Sequence, residues 1–139
     1  MKKSRLVMVG NGMAGVRSLE ELLKIAPDLY DITVFGAEPH PNYNRILLSP
    51  VLAGEQTIDE IILNDWQWYA DNHITLHTGF TVTDVDRVRR IVHATSATGE
   101  TITAEYDRLI MATGSNPFIL PIPGKELQGV LAYRDIADT

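Results

Sequence analysis

The stretch RLVMVGNGMAG at residues 5–15 decides the fold of this chain. Its apolar residues Leu6 to Val9 lead directly into glycines that match the pattern Gly-x-Gly-x-x-Gly. A continuous apolar run that ends at glycine is typical of a parallel β-strand buried on both faces. The glycine pattern is typical of a dinucleotide-binding turn when a strand precedes it and a helix follows it. We therefore predict a strand, a phosphate-binding turn and a helix.

Each glycine of this turn has a separate expected role. Gly10 allows a tight turn out of the strand, and Gly12 lets the backbone lie against a pyrophosphate because it has no Cβ. Gly15 lets the helix pack close to the strand. The N-terminal N–H groups of the helix and its dipole would then point at the phosphates.

A second strand completes a βαβ unit. Apolar residues at spacings of three and four between Val16 and Ala26 predict one buried helix face, and residues 31–36 are β-branched and apolar. Glu38 follows this strand, roughly 20 residues past the glycines, where a carboxylate accepts hydrogen bonds from a ribose. An ordinary exposed loop glutamate is the alternative, and the βαβ context favours the ribose role.

Residues 39–57 predict a long irregular connection, a type of loop that is often functional. Arg45 is a fixed cation that could meet a phosphate, and Ser49 could cap a helix or donate to a phosphate. Composition alone favours a solvated arginine and a capping serine.

The rest of the chain predicts two short helices, then strands. We expect helices at residues 59–62 and 65–71, in which Trp66, Trp68 and Tyr69 contribute buried area and Trp66 and Tyr69 share one face. Alternating segments around a glycine-containing turn predict a small antiparallel meander, followed by a buried strand. The predicted strands are residues 74–78, 81–86, 90–95, 101–106 and 107–112.

Composition excludes several classes of function. The net charge of −6 opposes a nucleic-acid partner, and no apolar run reaches the ~18 residues of a membrane span. The absence of cysteine excludes disulfides and a cysteine-ligated iron–sulfur cluster within this sequence, and it suits the cytoplasm. The four histidines show no metal-ligand spacing, so we predict no metal site. No side chain forms a recognisable catalytic group.

These motifs together resemble a known family. The resemblance is carried by the glycine turn at 10–15, Glu38, the segment 43–49, GFTV at 79–82 and YDRLIMATG at 106–114. It is to the FAD-dependent pyridine nucleotide–disulfide oxidoreductases, and within them to the N-terminal flavin region of the NAD(P)H-dependent assimilatory nitrite reductase large subunit.

The resemblance implies an α/β three-layer, Rossmann-like FAD-binding domain with a parallel sheet and a small antiparallel meander. It places the pyrophosphate at the glycine turn, the ribose at Glu38, adenine at the Val82 backbone and the flavin side at Arg45 and Ser49. Ala112, Thr113 and Gly114 should pass close to the cofactor. The implied cofactor contacts are Gly10, Gly12, Met13, Ala14, Gly15, Glu38, Arg45, Ser49, Val82, Ala112, Thr113 and Gly114.

The resemblance also implies a role in a larger enzyme. FAD there would accept a hydride from NAD(P)H and pass electrons towards nitrite. Because no second glycine turn is present, the NAD(P)H site is expected outside residues 1–139. We therefore expect one partial FAD-binding domain, a fragment whose partners are the remaining domains of the parent enzyme.

Three alternatives stay open. The flavin domain could serve a ferredoxin reductase, a rubredoxin reductase or an NADH oxidase. The isolated chain could instead be a non-catalytic nucleotide-binding module, or a homodimer formed through apolar surfaces. The glycine turn could also bind NAD directly, although the segment 112–114 and the meander favour FAD.

Overall fold

The structure is a computed structural model that describes residues 2–139. It divides into two compact units. The first contains the chain up to Tyr43 together with Leu63–Gly114, and the second contains Asn44–Ile62 and Ser115–Thr139. The elements are β1 (Ser4–Val9), α1 (Met13–Ile25), β2 (Tyr30–Gly36), α2 (Leu48–Leu52), α3 (Trp66–Asp71), β3 (Ile74–Thr78), β4 (Phe80–Asp86), β5 (Ile91–Ser96), β6 (Thr101–Glu105) and β7 (Arg108–Met111).

A parallel sheet forms the middle of the first unit. Its strand order is β3-β2-β1-β7, and β1 pairs with both β2 and β7. The apolar run of β1 serves two cores because neighbouring side chains of a strand point to opposite faces. Leu6 and Met8 pack with Val16 and Leu19 of α1, and α3 contributes Tyr69 to the same core.

The opposite face of the parallel sheet is covered by the meander. Strands β4, β5 and β6 form an antiparallel sheet in that order. Val7 and Val9 of β1 pack with Val92 and Ala94 of β5 in a second core. The first unit therefore has a helical layer, a parallel sheet and an antiparallel sheet, which confirms the predicted α/β fold class.

Two details of the sequence prediction are wrong. The strand at 107–112 is not buried: β7 is an edge strand of the parallel sheet in the described residues, and Met111 is 58% exposed. Trp66 is 52% exposed and does not share the buried face of Tyr69. Trp68, also predicted to contribute buried area, packs there, with its ring at a centroid distance of 5.0 Å from that of Tyr69.

The second unit contains α2 and three short 3-10 helices, at Arg45–Leu47, Asp59–Ile61 and Ile136–Asp138. The Asn44 side chain accepts a hydrogen bond from the Ile46 N–H and caps the first of these. Asp135 and Asp138 form a capping box at the last. Among the helices of residues 2–139, none has the length and apolar character needed to cross a membrane.

Candidate functional site

The glycine turn lies where β1 ends and α1 begins. The Gly10 N–H donates to the Phe35 carbonyl at 2.8 Å, and Gly10 has a φ of +108°. A Cβ at this position would lie 2.0 Å from the Ala112 carbonyl oxygen. Gly10 is therefore required both for its backbone conformation and for the close approach of the segment after β7.

Gly12 faces open space. It is the N-cap of α1 with an extended backbone, and a Cβ added to it would meet no described atom within 4 Å. No side chain of the described residues caps the helix. The N–H groups of the first turn, including those of Met13 and Ala14, have no intrahelical acceptor. This arrangement suits an anion, because unpaired donors and the positive end of the helix dipole coincide there.

Gly15 packs α1 tightly against the parallel sheet. A Cβ on it would lie 2.9 Å from both the Ala112 Cβ and the Met8 Sδ. The Ala112 N–H donates to the Val9 carbonyl at 2.7 Å. The structure therefore brings Ala112 against the turn, next to Gly10 and Gly15. Thr113 and Gly114 follow as exposed backbone, and Gly114 has a φ of +74°.

Glu38 follows β2 by two residues and is half-buried. The Tyr43 hydroxyl donates to Glu38 Oε1 at 2.6 Å, and the Gly79 N–H donates to the Glu38 carbonyl at 3.2 Å. These contacts hold both the backbone and the carboxylate. A carboxylate has several acceptor positions, so this one can also accept from a ribose hydroxyl.

Val82 lies on β4, a strand at the edge of the meander sheet in the described residues. Its side chain packs against the second core. It pairs with Ala94, and the register of the two strands shifts between Val82 and Asp84. The side chain is thus used for packing, and an edge strand keeps a row of backbone groups without a strand partner.

Arg45 and Ser49 belong to the second unit. Arg45 Nη1 donates to the Arg134 carbonyl at 3.1 Å, and the Tyr133 hydroxyl donates to Ser49 Oγ at 3.4 Å. Both predicted residues therefore contact the C-terminal segment of the chain. The arginine is half-buried rather than fully solvated.

The sequence analysis missed Asn11 and the side chains around it. The Tyr69 hydroxyl donates to Asn11 Oδ1 at 2.7 Å and accepts from the Asn42 N–H at 3.2 Å. Asn11 Nδ2 donates to the His40 carbonyl at 3.3 Å. Asn11 occupies a variable position of the glycine pattern, and Tyr69 lies 58 positions away, so no local signal connects them.

Gly36 is a further position that the sequence analysis missed. A Cβ on it would lie 2.9 Å from the Asn11 Cβ. The end of β2 therefore needs a glycine to admit the Asn11 side chain. The only local signal is a glycine immediately after an apolar strand, which a simple turn would also explain.

Two titratable side chains at this end of the sheet, the buried Tyr69 and the half-buried His77, pack against aromatic rings. Burial raises the pKa of the Tyr69 hydroxyl, which stays protonated and able to donate. His77 stacks on Phe35 at a centroid distance of 5.1 Å, and burial lowers its pKa. Within residues 2–139, no group of three histidine, cysteine, aspartate or glutamate side chains could hold a metal ion.

Comparison with known proteins gives a consistent result. The family model described as pyridine nucleotide-disulphide oxidoreductase matches residues 4–139. The chain is 58% identical over its full length to the NAD(P)H nitrite reductase of Bacillus subtilis. It is 53% identical over 99% of its length to the assimilatory nitrate reductase electron transfer subunit of the same organism. The chain spans 17% of the length of each of these relatives.

Solved structures share the fold. The water-forming NADH oxidase from Lactobacillus brevis superposes with a TM-score of 0.85 and 20% identity, over 98% of this chain and 30% of that one. At this level of identity, the likeness concerns the arrangement of helices and sheets alone.

Proposed function

The chain belongs to the pyridine nucleotide-disulphide oxidoreductase family, and on this premise we propose that it is the FAD-binding part of an NAD(P)H-dependent nitrite reductase large subunit. The observation that carries the proposal is 58% identity to such an enzyme over all 139 residues. Family membership supports FAD as the cofactor. The remaining domains of the longer parent are its proposed partners, and the cytoplasm is its proposed location.

The residues of the glycine turn fit a pyrophosphate. Gly12 leaves open space beside uncapped N–H groups of α1, and Gly10 and Gly15 hold the turn against Ala112. Backbone donors of Gly12, Met13 and Ala14 would bind the phosphate oxygens. A single backbone amide carries no net charge. The aligned amides of α1 together form the helix dipole, whose positive end attracts the phosphate.

Glu38 is proposed to bind the adenosine ribose, and Val82 to meet adenine through its backbone. The Tyr43 hydroxyl orients the Glu38 carboxylate before any ligand binds. Preorganised acceptors lose less side-chain entropy on binding. Ala112 holds the turn in place, and the exposed backbone of Thr113 and Gly114 is proposed to pass close to the cofactor.

Arg45 and Ser49 are proposed to lie along the flavin side of the cofactor. This assignment rests on the family resemblance, since the two residues belong to the second unit. Bound FAD would supply hydride acceptance from NAD(P)H and electron transfer towards nitrite, and the protein would bind and orient it. The NAD(P)H site is proposed to lie in the parent, outside the residues that form this chain.

An NADH oxidase is the main alternative to a nitrite reductase, and it has less support from sequence identity. The fold alone suits an NADH oxidase as well as a nitrite reductase, because 20% identity with a TM-score of 0.85 shows shared architecture. Identity of 58% and 53% to two proteins of nitrite and nitrate reduction favours the nitrite branch. In the parent, anaerobic NAD(P)H oxidation should require nitrite, whereas oxidation driven by oxygen alone would favour the oxidase.

The first test is the absorption spectrum of the purified chain after FAD addition and desalting. We expect a retained flavin band near ~450 nm that is released as free FAD on denaturation. Glu38→Gln should weaken FAD binding about tenfold, the effect of losing a charge-assisted hydrogen bond. Glu100→Gln, at an exposed glutamate before β6, should leave it unchanged. A folded chain that takes up no FAD would contradict the cofactor assignment.

A further inference from the structure

We propose that the Asn11–Tyr69 pair positions the glycine turn relative to Glu38, and so sets the affinity for the adenosine diphosphate part of the cofactor. The pair is defined by the hydrogen bond from the Tyr69 hydroxyl to Asn11 Oδ1, at 2.7 Å. This inference rests on the proposed function and adds a positioning residue, Tyr69, that lies outside the glycine pattern. Neither residue is among the predicted cofactor contacts.

The Asn11–Tyr69 pair joins three separate segments of the first unit. Tyr69 comes from α3, Asn11 from the glycine turn, and Asn42 from the segment after β2. The Tyr69 hydroxyl accepts from the Asn42 N–H at 3.2 Å while it donates to Asn11. The Asn11 amide in turn donates to the His40 carbonyl at 3.3 Å. The glycine turn is therefore bonded to α3 and to the segment that carries Glu38.

A packing contact between Asn11 and Gly36, at the end of β2, also joins the glycine turn to the segment that carries Glu38. The Asn11 Cβ occupies the position next to Gly36 where a side chain would clash at 2.9 Å. Asn11 thus contacts the chain at Gly36 and again at His40. Glu38 lies midway in sequence between these two contacts. The position of Asn11 therefore sets the separation between the glycine turn and the Glu38 carboxylate, which is proposed to bind the ribose. A ligand with both a pyrophosphate and a ribose must match that separation.

A role for Tyr69 in packing alone would need its ring but not its hydroxyl. Tyr69 is 2% exposed, and its ring packs in the core with Trp68. A phenylalanine would fill the same space but would leave the Asn42 N–H and Asn11 Oδ1 without this partner. The hydroxyl is bonded on both sides, and one of its partners is the middle of the glycine turn. Because the ring packs in the core and the hydroxyl bonds the glycine turn, replacing Tyr69 by phenylalanine tests the hydroxyl alone.

The test measures ADP binding by calorimetry to the whole chain and to Tyr69→Phe. ADP carries the ribose and pyrophosphate that are proposed to contact residues of the first unit. We expect the dissociation constant of Tyr69→Phe to rise about fivefold, the size expected for one oriented hydrogen bond. Tyr30→Phe is the matched control: Tyr30 packs against the same core, and its hydroxyl makes no hydrogen bond within residues 2–139. The control should change affinity by less than about twofold.

A double-mutant cycle distinguishes positioning from packing. Asn11→Ala keeps the Cβ at Gly36 but removes the amide. If Tyr69 acts through Asn11, adding Tyr69→Phe to Asn11→Ala should cause no further loss of ADP affinity. Additive losses, or an unchanged affinity in Tyr69→Phe, would overturn the inference.

A ligand-free measurement separates this inference from the proposed function. Backbone amide exchange at residues 11–13 should be faster in Tyr69→Phe than in Tyr30→Phe, because the turn loses an anchor. If the wild-type chain binds neither ADP nor FAD, the proposed function fails. Unchanged exchange at residues 11–13 would then show independently that the pair does not hold the turn.

Discussion

The polar groups at the two ends of β1 differ in whether side chains of this chain pair with them. At the carboxyl end, Gly12 has no side chain, and the helix that follows has uncapped donors and open space. At the amino end, the Arg5 N–H donates to Asp107 Oδ2 at 2.8 Å, and its guanidinium forms ion pairs with Asp107 and Glu105. One end is closed by side chains of this chain, and the other leaves uncapped N–H groups where we propose that an anion binds. Under the proposed function, stabilising ion pairs lie at one end of β1 and cofactor binding at the other.

The largest expected effect is that of Gly10→Ala on stability. The substitution places a Cβ against the Ala112 carbonyl oxygen and imposes a φ of +108° on an alanine. We expect a loss of more than about 2 kcal/mol in the free energy of unfolding, measured by chemical denaturation. Gly99→Ala is the control, since Gly99 has a φ of +88° but no described atom within 4 Å of its added Cβ. Equal losses in the two variants would show that the contact with Ala112 is unimportant.

A smaller effect, on binding rather than folding, is expected from Gly12→Ala. Its φ of −94° suits alanine, and its Cβ would enter open space, so stability should change by less than about 1 kcal/mol. The methyl group would occupy the space proposed for the pyrophosphate and weaken FAD binding about tenfold, measured by flavin fluorescence titration. Unchanged FAD affinity would place the phosphates elsewhere and remove the contrast between the two ends.

The smallest effect concerns the pH dependence at the closed end. Hydrogen bonds from the Arg5 side chain and backbone lower the pKa of Asp107 from 3.8 to about 2. A carboxylate whose pKa is lowered by folding stabilises the folded state above its unfolded pKa, and this contribution is lost as the pH falls through the folded pKa. Between pH 3.8 and about 2, the free energy of unfolding should therefore fall more steeply in the wild type than in Asp107→Asn.

Asp84→Asn is the matched control for that measurement, because Asp84 is exposed on β4. It should retain the wild-type slope in acid denaturation curves. If Asp107→Asn also retained that slope, the ion pairs at the amino end would not respond to pH as their geometry indicates.

Features that depend on neighbouring residues could be predicted from the sequence. The glycine turn, α1 and β2 follow from an apolar run, glycines at fixed spacing and helical periodicity, all of which are local. The exposure of β7 could not be predicted, because an apolar strand looks the same at an edge as in the middle of a sheet. The position of β7 beside β1 is set by pairing over about one hundred residues, as for Arg5 and Asp107.

The candidate site shows the same limit. Gly10, Gly12 and Gly15 lie in one pattern, whereas the Asn11–Tyr69 pair depends on a contact between residues 58 positions apart. The assignment of Trp66 to the buried face failed because α3 has only six residues. In a helix of fewer than two turns, the apolar periodicity is too brief to show which aromatic residue faces the core.

The contribution of β1 to two cores also affects how the first unit unfolds. Leu6 and Met8 belong to the core with α1, while Val7 and Val9 belong to the core with the meander. Neither layer can detach without exposing one face of the same strand to water. The helical layer and the meander should therefore lose their structure in one cooperative transition, and the glycine turn at the end of β1 should persist for as long as both layers do.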